Sequence, residues 1–162
     1  MENLAMWGQL ASSLDTISDC EMAINAYLAG PTEEEQSPVE DLGVLYLKTY
    51  GVLQALFVQQ DALFTLLESL DVSFDLDDYP AFREIRDIRN RSVGHPTKLE
   101  RKKRVSHHGI VQISLKDESF QFYSDSEDGE WKLQSINVPA LVSDQRACAA
   151  QILERAIARL KG

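Results

Sequence analysis

The chain has 162 residues and a mass of 18.3 kDa, a length typical of one domain. Apolar residues make up 44% and charged residues 26%, ordinary globular proportions that exclude a disordered, collagenous or rod-like chain. The net charge of −10 argues against a general polyanion binder, and the two cysteines, Cys20 and Cys148, sit far apart in helical stretches as neither a disulfide framework nor a zinc pattern.

No apolar run approaches the roughly 20 residues that span a bilayer. The opening Met1-Glu2-Asn3-Leu4 lacks the basic region of a signal peptide. The expectation is a soluble, cytoplasmic protein without a membrane partner.

Residues 2–29 read as a helix, with Leu4, Trp7, Leu10, Leu14, Ile17 and the Met22–Ile24 stretch at near-helical spacing. Gly30-Pro31 ends it. After an acidic loop, Ser37-Pro38-Val39-Glu40 carries the signals of a helix start: a capping serine, proline at the first position and a capping-box glutamate. The helix expected from there to about Leu70 has a stripe of Leu42, Leu45, Thr49, Val52, Leu56, Gln60, Leu63, Leu67 and Leu70. Its two polar members, Thr49 and Gln60, are expected to be hydrogen-bonded inside a core or to line a site.

An acidic connector leads to Pro80, which opens a third helix to Val93. Gly94 is expected to end it in the left-handed conformation, with Pro96 blocking continuation. Beyond the basic stretch the period changes from 3.6 to 2. Val111-Ile113-Leu115, Phe120-Phe122 and Trp131-Leu133 predict a three-stranded antiparallel meander with one apolar face laid on the helices. Pro139 opens a closing helix to Lys161, whose line is Leu141, Cys148, Ile152, Ala156 and Leu160, widened by Leu153 and Ile157. Its terminal Arg155, Arg159 and Lys161 suit the helix dipole. The fold expected is mainly α: one domain over residues 1–162, an antiparallel helical bundle with the small meander inserted at about residues 106–137, before the last helix.

Charge is unevenly placed. Residues 83–104 hold nine basic side chains against three acidic ones, a local +6, so the chain's −10 leaves −16 elsewhere. Such an island is a local anion site if its geometry is right, and a solvated loop if it is not. At about 100° per residue, Arg89 falls inside the apolar arc of Phe82, Ile85, Ile88, Ser92 and Val93. Arg86 lies on its margin, and Asn90 further round. A guanidinium there is costly unless paired, so an acidic partner, a subunit interface or a phosphate is expected to hold Arg89. His95 follows roughly 9 Å along the same helix, stiffened by Pro96, and can share a cleft with Arg89. Histidine exchanges protons near neutral pH, and arginine grips phosphate bidentately.

The order Arg89-Asn90, four further residues, then His95 at the end of a helix in a small helical protein resembles the HEPN superfamily, whose signature is Arg, four to six residues, His. The resemblance covers the helices and leaves the meander unexplained. It implies a metal-independent endoribonuclease of toxin or phage-defence type, working as a homodimer through the motif helix. An antitoxin or regulatory protein is a further partner that the resemblance allows. Carried over, His95 is the general acid/base, Arg89 stabilises the pentacoordinate phosphate, and Asn90 bonds a phosphate oxygen or orients a catalytic group. The product is a 2′,3′-cyclic phosphate. Arg86, Lys98, Arg101, Lys102, Lys103 and Arg104 are the expected RNA contacts.

Thr97 stands where HEPN toxins paired with nucleotidyltransferase antitoxins often carry tyrosine, which sets this chain apart from that subclass. No cofactor and no metal is expected, since His107-His108 beside His95 matches no familiar ligand spacing. Phe120, Phe122 and Trp131 are expected to cover the helices rather than to stack bases. Two other readings stand beside the nuclease: a non-catalytic HEPN-like module binding nucleotide or RNA, and a structural dimerisation protein.

Overall fold

The computed structural model describes residues 2–30, 41–94, 96, 99–101, 104–125 and 130–161. The protein is mainly α, with a small three-stranded antiparallel sheet before the last helix. Helix α1 (Glu2–Ala29) stops at Gly30, whose φ of 67° is the left-handed conformation that favours glycine. Its inward line is Leu10, Ser13, Cys20 and Ile24, so Leu10 and Ile24 of the expected line are buried and Ile17 packs partly buried beside them. Leu4, Trp7, Leu14 and Met22 are exposed. A helix packed along one neighbour buries only the stripe that neighbour covers, and here small side chains mark that stripe.

Helix α2 (Leu42–Ser69) is capped by Asp41, whose carboxylate accepts from the Gly43 amide at 2.7 Å. The start expected at residues 37–40 lies outside the described residues. The stripe from Leu45 to Leu70 is buried as expected, and only its first member, Leu42, is exposed. Gln60 is a hydrogen-bonded core group: its Nε2 donates to Gln145 Oε1 at 2.7 Å, and Gln145 Nε2 donates to Gln59 and to the Leu56 carbonyl. These amides fix the register of α2 on the closing helix.

Helix α3 (Pro80–Arg89) inserts Phe82, Ile85 and Ile88 between two apolar clusters. It runs into one wide π-helical turn, Asn90–Gly94. Strands β1 (Leu99–Arg101) and β2 (Arg104–Ser106) form a hairpin ladder in the basic stretch that the sequence offered as a loop. Strands β3 (His108–Ile110), β4 (Ser119–Asp125) and β5 (Trp131–Asn137) form the sheet in that order.

The first strand falls at His108–Ile110 instead of Val111–Leu115. Residues 112–114 form a 3-10 turn, with Ile113 95% exposed. Ser114 explains the difference. Its hydroxyl donates to the Val111 carbonyl at 2.6 Å and accepts from the Gln121 amide at 2.8 Å, giving the backbone an alternative to a ladder.

Phe120 and Phe122 are buried against the helices, with Ile136 as their cross-strand companion. Trp131 and Leu133, expected beside them, lie on the opposite face and are exposed. The register Tyr123↔Leu133 and Asp125↔Trp131 puts them with Tyr123, which meets Trp131 edge-on. Helix α4 (Val138–Lys161) begins under Asn137, whose side chain accepts from the Ala140 amide. Leu141, Ile152 and Ala156 are buried, while Ile157 and Leu160 are exposed. Arg155 and Arg159 do more than suit the dipole: Arg155 bonds Tyr79 and the Ser73 carbonyl, and Arg159 the Leu70 carbonyl, tying α4 to the connector between α2 and α3. Among the described residues no helix is long and apolar enough to cross a membrane.

Candidate functional site

Three of the residues singled out in the sequence come together on the flank of α3 that faces α2. Arg89 donates from both Nε and Nη2 to Gln54 Oε1, at 3.1 and 2.8 Å, and from Nη1 to Asn90 Oδ1 at 3.0 Å. Its guanidinium carbon lies 4.5 Å from the centroid of the Phe57 ring. Arg86 sits 4.4 Å from the same centroid and 5.5 Å from that of Phe64, and pairs with Asp61. Two guanidiniums thus share one aromatic ring. The Nε of Arg86 is buried without a hydrogen-bond partner.

An acidic partner, one of the three expected stabilisers of Arg89, is not what holds it among the described residues. An amide oxygen and an aromatic face do so instead, and each guanidinium–ring contact contributes about 0.5–2 kcal/mol. Both partners are neutral, so the positive charge remains. Among the described residues no carboxylate pairs with Arg89.

The π-turn shapes the rest of the site. Ser92 is buried and donates to the Ile88 carbonyl at 2.6 Å, and Arg91 pairs with Asp87 at 2.8 Å. Gly94 does not take the left-handed conformation expected of it, since its φ is not positive. Its requirement is space: a Cβ there would lie 2.7 Å from Arg89 Nη1 and 3.4 Å from Asn90 Oδ1.

His95, Thr97, Lys98, Lys102 and Lys103 lie outside the described residues. Gly94 lies beneath the Arg89 guanidinium, and the Pro96 carbonyl accepts from the His108 amide at 2.7 Å. Arg101 and Arg104, described in backbone only, stand opposite each other in the β1–β2 ladder.

Sequence reasoning missed Gln54, Phe57 and Asp61. Each lies off the core stripe of α2, tens of residues from α3. One signal was present: positions 44, 47, 51, 54, 58, 61, 65 and 68 recur at spacings of three and four on a second face of that helix.

His108 was missed as a packing group. It is buried, its Nε2 lies 2.9 Å from Ser106 Oγ, and its Nδ1 has no hydrogen-bond partner. Burial, then the neighbouring Arg91 and more weakly His107, push its pKa below the ordinary 6.5, against the opposing pull of Asp125 and Asp87. The folded protein therefore holds fewer protons here than the unfolded chain. The stability this gives is complete above about pH 6.5 and is lost as pH falls through the lowered value. The melting temperature should drop between pH 7.5 and pH 5, and His108→Phe should flatten that drop. Asp125 acts in a separate, more acid window: the His107 amide holds its pKa below the usual 3.8. An unchanged pH profile in His108→Phe would remove His108 from this role.

In comparisons with protein-family models, curated proteins and solved structures, nothing matches this chain.

Proposed function

We propose that the protein is an endoribonuclease of HEPN type that cleaves RNA without a metal, in a toxin or phage-defence role. The observation that carries the reading is the paired guanidinium site. Arg89 is held rigidly by neutral groups, keeps its charge, and stands beside Arg86 on the Phe57 ring. That arrangement suits a phosphate diester whose charge grows in the transition state. His95 takes the proton of the RNA 2′-hydroxyl. The 2′-oxygen attacks phosphorus, and the bond to the 5′-oxygen breaks as the protonated His95 returns its proton to the leaving oxygen. Arg89 and Arg86 hold the phosphate oxygens, and Asn90 is fixed against Arg89. The products are a 2′,3′-cyclic phosphate and a 5′-hydroxyl.

The test is incubation of the purified protein with end-labelled single-stranded RNA in the presence of a chelator. Cleavage with a cyclic-phosphate end is expected. A 3′-hydroxyl product, or cleavage that returns only with a divalent ion, overturns the mechanism. Salt-sensitive binding without cleavage selects the non-catalytic module, and neither activity leaves the structural dimer.

The basic stretch is proposed to grip the RNA backbone. Changing Arg101, Lys102 and Lys103 together to alanine should weaken binding and lower the slope of log affinity against log salt by about 0.7 for each phosphate no longer neutralised. Turnover at saturating RNA should stay near wild type. An unaltered salt slope would show that these side chains do not touch phosphate.

The homodimer is proposed to form through the motif helix together with the adjoining face of α2. Val44, Leu47, Tyr50 and Gly51 are exposed on α2, and the 44–47–51–54 row leads directly to Gln54. An apolar row that ends at a charged cleft suits a second copy covering it. Light scattering at micromolar concentration should give a dimer for the wild type and a monomer for Leu47→Glu. A wild-type monomer sinks this assembly.

A further inference from the structure

We propose that the groove between α2 and the connector after it is a nucleobase subsite, taking the base of the nucleotide whose phosphate sits on Arg86 and Arg89. The proposal rests on the nuclease reading for that phosphate anchor. The groove has a volume of about 550 Å³ and is lined by Asp61, Phe64, Thr65, Glu68, Val72 and Phe74, within the range of small-molecule pockets.

It begins where the guanidinium pair ends. Asp61 both pairs with Arg86 and lines the groove. Phe64 has the Arg86 guanidinium 5.5 Å from its centroid on one side and the Phe74 ring stacked on it at 3.9 Å, with 16° between the planes. Asp61, Thr65 and Glu68 continue along α2 the row that carries Gln54.

The chemistry of the two ends is opposite, and a nucleotide matches both. Arginines at one end attract the phosphate. Glu68 towards the other end repels phosphate and, like Asp61 beside Arg86, acts as a hydrogen-bond acceptor only. Asp61 and Glu68 can accept from the exocyclic amino groups of guanine, adenine or cytosine, a contact of the kind carboxylates make with cytosine N4. Uracil has no such group. Phe74, 36% exposed, offers a stacking surface in the same groove. Thr65 adds a hydroxyl. The groove therefore selects for an amino-bearing base next to the cleaved phosphate.

The experiment titrates the 3′-monophosphates of guanosine, adenosine, cytidine and uridine into wild type, Phe74→Ala, Glu68→Gln and Arg89→Ala by calorimetry. It also maps cleavage sites on random-sequence single-stranded RNA. Uridine monophosphate should bind most weakly to wild type. Phe74→Ala should weaken the amino-bearing nucleotides by about tenfold, the scale of one base stack removed. Glu68→Gln, an isosteric change at an exposed position that keeps the fold testable, should narrow the gap to uridine. Arg89→Ala should weaken all four alike. Cleavage sites should be enriched for an amino-bearing base in wild type and lose that bias in Glu68→Gln. RNA cut without base preference, together with equal nucleotide binding in Phe74→Ala and Glu68→Gln, overturns the subsite and leaves the nuclease reading standing. Nucleotide binding that depends on Phe74 and Glu68, with no RNA cleavage, does the reverse.

Discussion

Replacing His95 with alanine should lower RNA cleavage by about 10²–10⁴-fold, the usual contribution of a positioned general acid/base. The fold and the RNA affinity should stay near wild type, because the basic stretch supplies the backbone contacts on this reading. Arg89→Ala should remove transition-state charge stabilisation, a further ~10²–10³-fold when measured alone. The two groups act in one step, so the double variant should be far less impaired than the product of the singles.

The structure adds a third arm to this series. Gln54 accepts two hydrogen bonds from Arg89 and touches no substrate in the proposed mechanism. Gln54→Leu should therefore reduce turnover by less than Arg89→Ala, and Gln54→Glu should reduce it by neutralising Arg89 while keeping its position. A merely structural Arg89 predicts another pattern: lower melting temperatures in Arg89→Ala and Gln54→Leu, an unchanged or higher one in Gln54→Glu, and no activity to lose. Full cleavage by a folded His95→Ala protein eliminates the nuclease reading.

The helices were legible because their evidence is local. Apolar spacing, Gly30, Pro80 and the switch from period 3.6 to period 2 each act within one or two turns of chain. The line of α1 was legible only in part, at Leu10, Ile17 and Ile24, because the position of α2 decides which of its apolar side chains are covered. The meander's first strand was misplaced because Ser114 bonds its own backbone, which alternation of apolar residues does not register. Trp131 and Leu133 were assigned to the wrong face because register belongs to the pair of strands, and Ile136 takes the inward place.

The site divides the same way. Arg86, Arg89 and Asn90 were found from one helix. Gln54 and Phe57 were not, because only tertiary packing brings residues 35 and 32 positions upstream onto Arg89. A cation set within an apolar arc nevertheless announced that partners had to exist.

Gly94→Ala should separate stability from activity. The backbone there is not left-handed, so alanine meets no conformational strain. In a helical turn alanine is favoured over glycine by about 0.5–1 kcal/mol. On backbone grounds alone the variant should melt no lower than wild type. Its Cβ, however, would lie 2.7 Å from Arg89 Nη1 and 3.4 Å from Cζ, inside contact distance. The guanidinium cannot yield freely, since Gln54 holds it on one edge and Phe57 covers its face. Either Arg89 leaves Gln54 or the π-turn widens, and in both cases the guanidinium is displaced. A displacement near 1 Å at a catalytic group costs up to about 10²-fold. Cleavage should fall by about that much, while the melting temperature falls by less than the clash alone would cost, since the backbone gain offsets part of the displaced Arg89–Gln54 contact. Gly30→Ala is the matched control, because φ is 67° there and nothing lies within 4 Å of the added Cβ. That variant should lose stability and keep its activity. Wild-type cleavage in Gly94→Ala would mean that Arg89 moves without consequence, and the guanidinium would then have no role in the chemistry.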